Sequence, residues 1–169
     1  MKMFWISVCF GLLGLVGCGI SAPPGFPSLK DCRVTVTDNG QPIPDVVVNL
    51  VPKFTVNSLF ITGVTDVNGT AVIKTRHGEY SRNGAPEGDY SVILSKSIDV
   101  EMPILTEEQS LALTPAQQNA RQKEREKKMD AARIIPIILE EPSQTPLTLQ
   151  IGNETGKLSV DIAEYKTKK

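Results

Sequence analysis

Cysteine, histidine and aromatic residues are all scarce in this chain, and each scarcity removes a class of function. There are three cysteines among 169 residues. Only Cys32 lies beyond residue 18, so an internally disulfide-stapled scaffold is excluded. His77 is the sole histidine, and a catalytic zinc needs about three protein ligands, usually with more than one His. Aromatics make up 5% of the chain, and the one tryptophan, Trp5, sits at the start. Polymer grooves and sugar platforms that rely on stacking are therefore disfavoured. Charge of one sign is also lacking: 18 basic residues face 19 acidic ones, without the basic footprint of a nucleic-acid binder. The apolar run from Met3 to Val16 is too short for a transmembrane helix, which needs about 20 residues.

That short run is nonetheless informative. It follows Lys2 and closes on Leu15-Val16-Gly17-Cys18, which is the layout of a secretory signal. With a cysteine preceded by small residues at the cut, it resembles a bacterial lipoprotein signal. The resemblance implies removal of residues 1–17 and acylation (palmitate and related chains) of Cys18 as the new N-terminus. An ordinary cleaved signal and a buried N-terminal helix are the alternatives. Removing 17 of 169 residues leaves 152, enough for one domain with a proper core. The leader holds one Lys and no acid, so 17 basic and 19 acidic residues remain, a net charge of −2.

Residues 18–30 are rich in Pro, Gly and Ser and read as a flexible tether. From Cys32 the texture turns to β. Seven short alternating or β-branched runs are expected as strands: 32–37, 46–51, 60–65, 70–74, 90–94, 147–151 and 158–162. Asp38-Asn39-Gly40 and Asp66-Val67-Asn68-Gly69 supply turns, and Pro42 and Pro44 exclude a central strand between the first two runs. Arg76 to Gly88 reads as a polar, glycine-rich loop. The pattern predicts an all-β fold, an antiparallel sandwich over residues 31–165, with residues 166–169 as a basic tail. Expected inward residues are Val34, Val36, Val48, Leu50, Ile61, Val72, Tyr90, Val92, Leu94, Leu149, Ile151, Leu158, Val160 and Ile162.

Before the last two strands, about residues 98–133 break the β pattern. Thr106-Glu107-Glu108-Gln109 and Thr114-Pro115-Ala116-Gln117 both have capping-box spacing, and Pro115 falls where a missing amide costs nothing. Helices are predicted at about 107–113 and 115–132. The second is too polar for a core element. Ile134 to Leu139, interrupted by Pro136, is expected to return as an extended segment.

The order Val34-Thr35-Val36, Gly40-Gln41-Pro42-Ile43-Pro44, Val48-Asn49-Leu50-Val51-Pro52, Thr65-Asp66-Val67-Asn68-Gly69, Pro86-Glu87-Gly88-Asp89-Tyr90 and Thr145-Pro146-Leu147-Thr148-Leu149 resembles the carboxypeptidase regulatory-like, transthyretin-like domains. It is most similar to the small lipoproteins of planctomycete-type bacteria that carry one. The likeness covers about residues 31–97 and 134–163. It implies a seven-stranded prealbumin-like β-sandwich without a catalytic centre of its own. The insert is longer than the usual family loop.

Catalytic and metal-binding patterns stay fragmentary. His77-Gly78-Glu79 matches the opening of a zinc deaminase site, but no Cys-x-x-Cys follows, so it reads as a solvated loop. The tail from Tyr165 lacks the Tyr-Arg-Gly-Ser ending of the transthyretin-like hydroxyisourate hydrolases. Asp66-x-Asn68-Gly69 resembles the start of a calcium loop, but Gly69 comes early and position 75 is Thr, which leaves a turn. Asn68-Gly69-Thr70 and Asn153-Glu154-Thr155 match the glycosylation sequon and read as turns. Cys32 reads as a buried small hydrophobe, with an intermolecular disulfide as the alternative. Arg121 to Lys128 reads as a solvated helix face, with partner binding as its alternative.

No catalytic residue, metal ligand or cofactor is expected, and the ligand-binding residues stay unknown. The expected protein is an exported, membrane-anchored lipoprotein of the bacterial cell envelope, held by lipid at Cys18, with a structural or interaction role. An envelope polysaccharide or partner protein bound by the 76–88 loop or the 107–132 insert is the alternative, and an uncharacterised hydrolase built on His77, Glu79 and Asp89 a third.

Overall fold

The computed structural model describes residues 21–54, 59–152 and 156–166. Ten strand segments form two sheets. The smaller contains β1 (Cys32–Asp38), β2 (Gln41–Pro42), β5 (Thr70–Val72) and β10 (Gly156–Asp161). The larger runs β7-β6-β4-β3-β8-β9, from β7 (Tyr80–Asn83), β6 (Lys74–His77), β4 (Phe60–Val64), β3 (Val46–Pro52), β8 (Gly88–Lys96) and β9 (Thr148–Ile151). Inward side chains of both sheets meet in one core that includes Val34, Val36, Val48, Leu50, Leu94, Ile151 and Val160. The alternation of buried and open positions along β1 and β3 is the period-2 signature of a strand with one face in a core.

The fold is thus a β-sandwich with mostly antiparallel sheets, and it departs from the expected layout in several places. All seven expected runs carry strands, but three short segments add to them. β2 holds Pro42 at a two-residue edge, where a missing amide is tolerated. The expected 76–88 loop is mostly a hairpin of β6 and β7, reversed at Gly78. Its pattern was hidden because only Thr75 and Tyr80 point inward. Nor is the sandwich wholly antiparallel: β1 and β10 pair in parallel from Cys32 opposite Gly156 to Thr37 opposite Asp161. The chain changes sheets between β9 and β10, which sets the last strand beside the first.

One core residue is inverted. Val72 is 37% exposed, while Ala71 and Ile73 on either side are fully buried. Ala71 lies opposite Val34 in the pairing of β1 and β5, so both face the core. There the two sheets come close: a Cβ at Gly63 would stand 2.8 Å from the Val72 carbonyl and 3.3 Å from the Ala71 methyl. Space at that corner admits a small residue, and a one-residue shift moves the whole strand to the other face. Elsewhere Leu158 is partly buried, and the rest of the expected inward set is buried. Ile43, Val46, Ala85, Ile135, Leu139 and Leu147 complete the core.

The insert contains α1 (Glu107–Leu111) and α2 (Pro115–Ala132), and both capping boxes form. Thr114 Oγ1 accepts from the Gln117 amide while Gln117 Oε1 accepts from the Thr114 amide at 2.9 Å. Neither helix buries a side chain. The return through Ile134–Leu139 is not extended as expected: Ile137–Leu139 is a 3₁₀ turn that drops Leu139 into the core. The described residues end in the short α3 (Ala163–Lys166), where Lys166 Nζ pairs with Asp38 Oδ2 at 2.6 Å. Lys166, expected as the first residue of the basic tail, is thus paired with the body.

Candidate functional site

Two neighbouring hollows mark one end of the sandwich, where β3 finishes, β8 starts and the N-terminal segment arrives. That segment was expected as a tether up to residue 30, but it is fixed earlier. The Phe26 amide donates to the Pro23 carbonyl at 3.1 Å, turning the chain. The Phe26 ring then meets the edge of Tyr80 at a 4.7 Å centroid distance, a geometry worth about 1 kcal/mol beyond burial. Lys30 and Ala85 exchange both backbone hydrogen bonds, at 2.9 and 3.0 Å. This pairing requires Gly84: with φ of +106°, any Cβ there would lie 2.5 Å from the Lys30 carbonyl.

The larger hollow, about 340 Å³, is lined mainly by Pro27, Pro52, Phe54, Leu59, Ile61 and Tyr90, with Glu87 and Asp89 at hand. That size lies at the small end of ligand pockets. Glu87 Oε1 is held by Lys30 Nζ at 3.2 Å. The Tyr90 hydroxyl donates to the Pro86 carbonyl at 2.8 Å. Burial, with a smaller contribution from Cys32, pushes its pKa up to about 12, so it stays protonated and engaged. An apolar wall rimmed by carboxylates can hold a greasy group. The smaller hollow is formed by Pro23, Pro24, Gly25, Phe26, Pro27, Leu59 and His77.

The residues weighed for chemistry are dispersed. His77 lines the smaller hollow and Asp89 the larger, while Glu79 sits exposed in the turn between β6 and β7. Among the described residues no group of three His, Cys, Asp or Glu side chains could hold a metal ion. Asp66 is a turn residue: its Oδ1 accepts the amides of Thr70 and Asn68 at 3.0 and 2.9 Å. These bonds, Thr70 first, hold its carboxyl below the ordinary value. Gly69 follows with φ of +71°, tight against the Val36 carbonyl.

Cys32 is free and fully buried. Burial, then the charge of Asp31, raises its thiol to about 11. That environment leaves no room for the intermolecular disulfide weighed as its alternative. Cys18 and Asn153-Glu154-Thr155 lie outside the described residues. Among the described residues no helix is long and apolar enough to cross a membrane.

A third hollow, about 780 Å³, opens inside the insert. Met102, Leu105 and Leu113 line it together with Arg121, Arg125 and Met129, which share one face of α2. Arg121 donates to the Pro103 carbonyl, tying α2 to the segment before α1. Glu124 and Lys128 pair at 3.1 Å along the outer face.

Sequence reasoning missed two anchoring elements. Phe26 and Tyr80 are single aromatics in polar surroundings; the Pro23-Pro24-Gly25 turn before Phe26 was the available clue. Asp161 accepts the amides of Asn39 and Gly40 at 2.9 Å each and of Ala163 at 3.0 Å, with the Ala163 bond first in holding its carboxyl low. Only the parallel pairing of β1 and β10 brings these groups together. No family model, no curated protein and no solved structure matches the chain.

Proposed function

We propose that this protein is a non-catalytic lipoprotein of the bacterial cell envelope, acylated at Cys18, whose body is a transthyretin-like, carboxypeptidase regulatory-like domain working as a structural or interaction module. The observation that carries the proposal is the Leu15-Val16-Gly17-Cys18 close of a short apolar leader, followed within eight residues by a side chain docked on a β-sandwich. A chain cut before Cys18 would begin at a lipid and reach its folded body almost at once. Each buried methylene of an acyl chain contributes about 0.8 kcal/mol, so two or three chains hold a small domain stably where one does not. Replacing Cys18 with Ala is expected to move the protein from the membrane fraction to the soluble one. Retention of the variant in washed membranes would contradict the proposal.

Binding of an envelope polysaccharide or partner is a second reading, favoured by the 340 Å³ hollow, because Pro86, Glu87 and Gly88 of the 76–88 stretch form part of it. Glycan-array binding that vanishes on Phe54→Ala would support it. Unchanged binding would place the contact elsewhere.

A further inference from the structure

The turn at Pro23–Phe26 decides which end of the sandwich can approach a bilayer. Four residues lie between Cys18 and Pro23, and a fully extended chain gains at most about 3.6 Å per step, so five steps place Pro23 within about 18 Å of the Cys18 Cα. From Pro23 onward the chain is committed to the body through Phe26 on Tyr80 and Lys30 beside Ala85. Strand β8 gives the long dimension. It starts at Gly88, beside the hollow that contains Pro27 and Phe54, and ends at Lys96, opposite Val46. The eight steps between the ends of this nine-residue strand, at about 3.3 Å each, make this a separation of about 26 Å. With acylation at Cys18, so short a link would keep the Pro23–Phe26 end near the membrane and leave the other end far from it.

The near end is built for such a contact. Phe54 is 75% exposed and Phe60 61% exposed, both unusual for large apolar side chains. Pro27 and Leu59 line both hollows at this end, and Phe60 lies opposite Arg76 of the β6–β7 hairpin. Arg76 sits over the Phe60 ring at 5.4 Å, and Arg82 over Tyr80 at 5.8 Å. Such residues present an apolar body with a charged tip, which suits a headgroup layer. Local charge nearly balances, since Lys30, Lys53, Arg76 and Arg82 face Glu79, Glu87 and Asp89. Apolar insertion rather than attraction to anionic lipid must therefore carry the contact.

We propose that the end of the sandwich bearing Pro23–Pro27, Phe54 and Phe60 seats on the phospholipid surface with Phe54 in the headgroup layer, so that the helical insert, which departs after Lys96, leaves from the end that faces away. The proposal rests on acylation at Cys18. It gives the insert a function in reach: its helices, which bury nothing against the body, start from the membrane-distal side.

The test uses the absence of tryptophan from the chain after residue 17. Phe54→Trp places a reporter at the near end. Val67→Trp, at an 82% exposed turn between β4 and β5, places one at the far end. Both mature proteins, beginning at Cys18, are purified in lipidated form and reconstituted into phosphatidylethanolamine–phosphatidylglycerol vesicles containing bromine-substituted acyl chains. Phe54→Trp is expected to lose most of its emission and shift to the blue, while Val67→Trp keeps its emission. Equal quenching of both reporters, quenching of Val67→Trp alone, or quenching of neither would overturn the proposal. Mass spectrometry of the same samples separates the two ideas. Thioether-linked lipid on Cys18 with an unquenched Phe54→Trp rejects the seating alone, whereas an unmodified Cys18 rejects the anchor itself.

Discussion

In the sandwich, Ile73, Leu94 and Ile151 are sealed from solvent, whereas the eighteen residues of α2 include no buried side chain. Both regions have complete secondary structure, yet different forces hold them. Strand segments of two to nine residues cannot stand alone, so the sandwich depends on apolar burial across two sheets. α2 draws on local terms: good helix formers, a capping box, Pro115 in the first turn and the Glu124–Lys128 pair. Where the two regions join, Arg133 pairs with Asp130 of α2 at 3.5 Å and with Glu140 just past the 3₁₀ turn. This double ion pair connects a locally stabilised element to a globally stabilised one. The comparison teaches that the body should unfold as one unit while the insert opens by itself.

The sharpest way to break that contrast is to open a cavity. Leu94 is fully buried in the middle of the core, so Leu94→Ala is expected to cost about 2–5 kcal/mol in urea unfolding followed by far-ultraviolet dichroism. A loss below about 1 kcal/mol would mean that the sandwich is loosely packed and no better buried than the insert.

Alkaline pH tests the same core with a smaller effect. The Cys32 thiol is raised from an ordinary 9.0 to about 11, and the Tyr90 hydroxyl from 10.0 to about 12. A group whose pKa is higher folded than unfolded stabilises fully below its unfolded value. That contribution disappears as pH climbs through the folded value. Stability should therefore hold to about pH 9 and fall between pH 9 and 12. For Cys32 the difference between 9.0 and about 11 corresponds to at most about 3 kcal/mol. Urea midpoints measured at pH 8 and pH 11 should differ accordingly, and Cys32→Ala should remove the portion that begins near pH 9. A variant with an unchanged pH profile would place the thiol in water in the folded state.

What could be read from sequence follows the same divide. Alternation in Cys32–Thr37 and Leu147–Ile151 and the two capping boxes depend on neighbours in the chain, so they were legible. The β6–β7 hairpin was not, because an exposed pair of strands whose outward residues are Lys, Arg, Ser and Asn has the composition of a loop. Val72 was expected to face inward, yet the close approach at Gly63 favours Ala71. Nothing local signals that Asp161 will hold Asn39 and Gly40, more than 120 positions away. The pattern behind the proposed acylation, Leu15-Val16-Gly17-Cys18, is local in the chain and lies outside the described residues. The hollow at the candidate site was not legible, since Pro27, Phe54 and Tyr90 meet only after the sheets have formed.

The smallest expected effect is also the most discriminating. Thr114→Ala removes the hydroxyl that accepts from the Gln117 amide and breaks one half of the α2 capping box. Loss of such a cap costs about 1 kcal/mol of helix stability. Because α2 buries nothing, this loss has no route into the core except through Arg133 and its two carboxylate partners. Hydrogen exchange should therefore quicken about fivefold across the amides of α2, the equivalent of that cap energy. Amides of β3 and β8 should keep their protection, and the global urea midpoint should not move. A midpoint that fell by the full cap energy would show that insert and sandwich unfold together. The Arg133 ion pairs would then be a structural seam rather than a hinge between two independently stabilised parts.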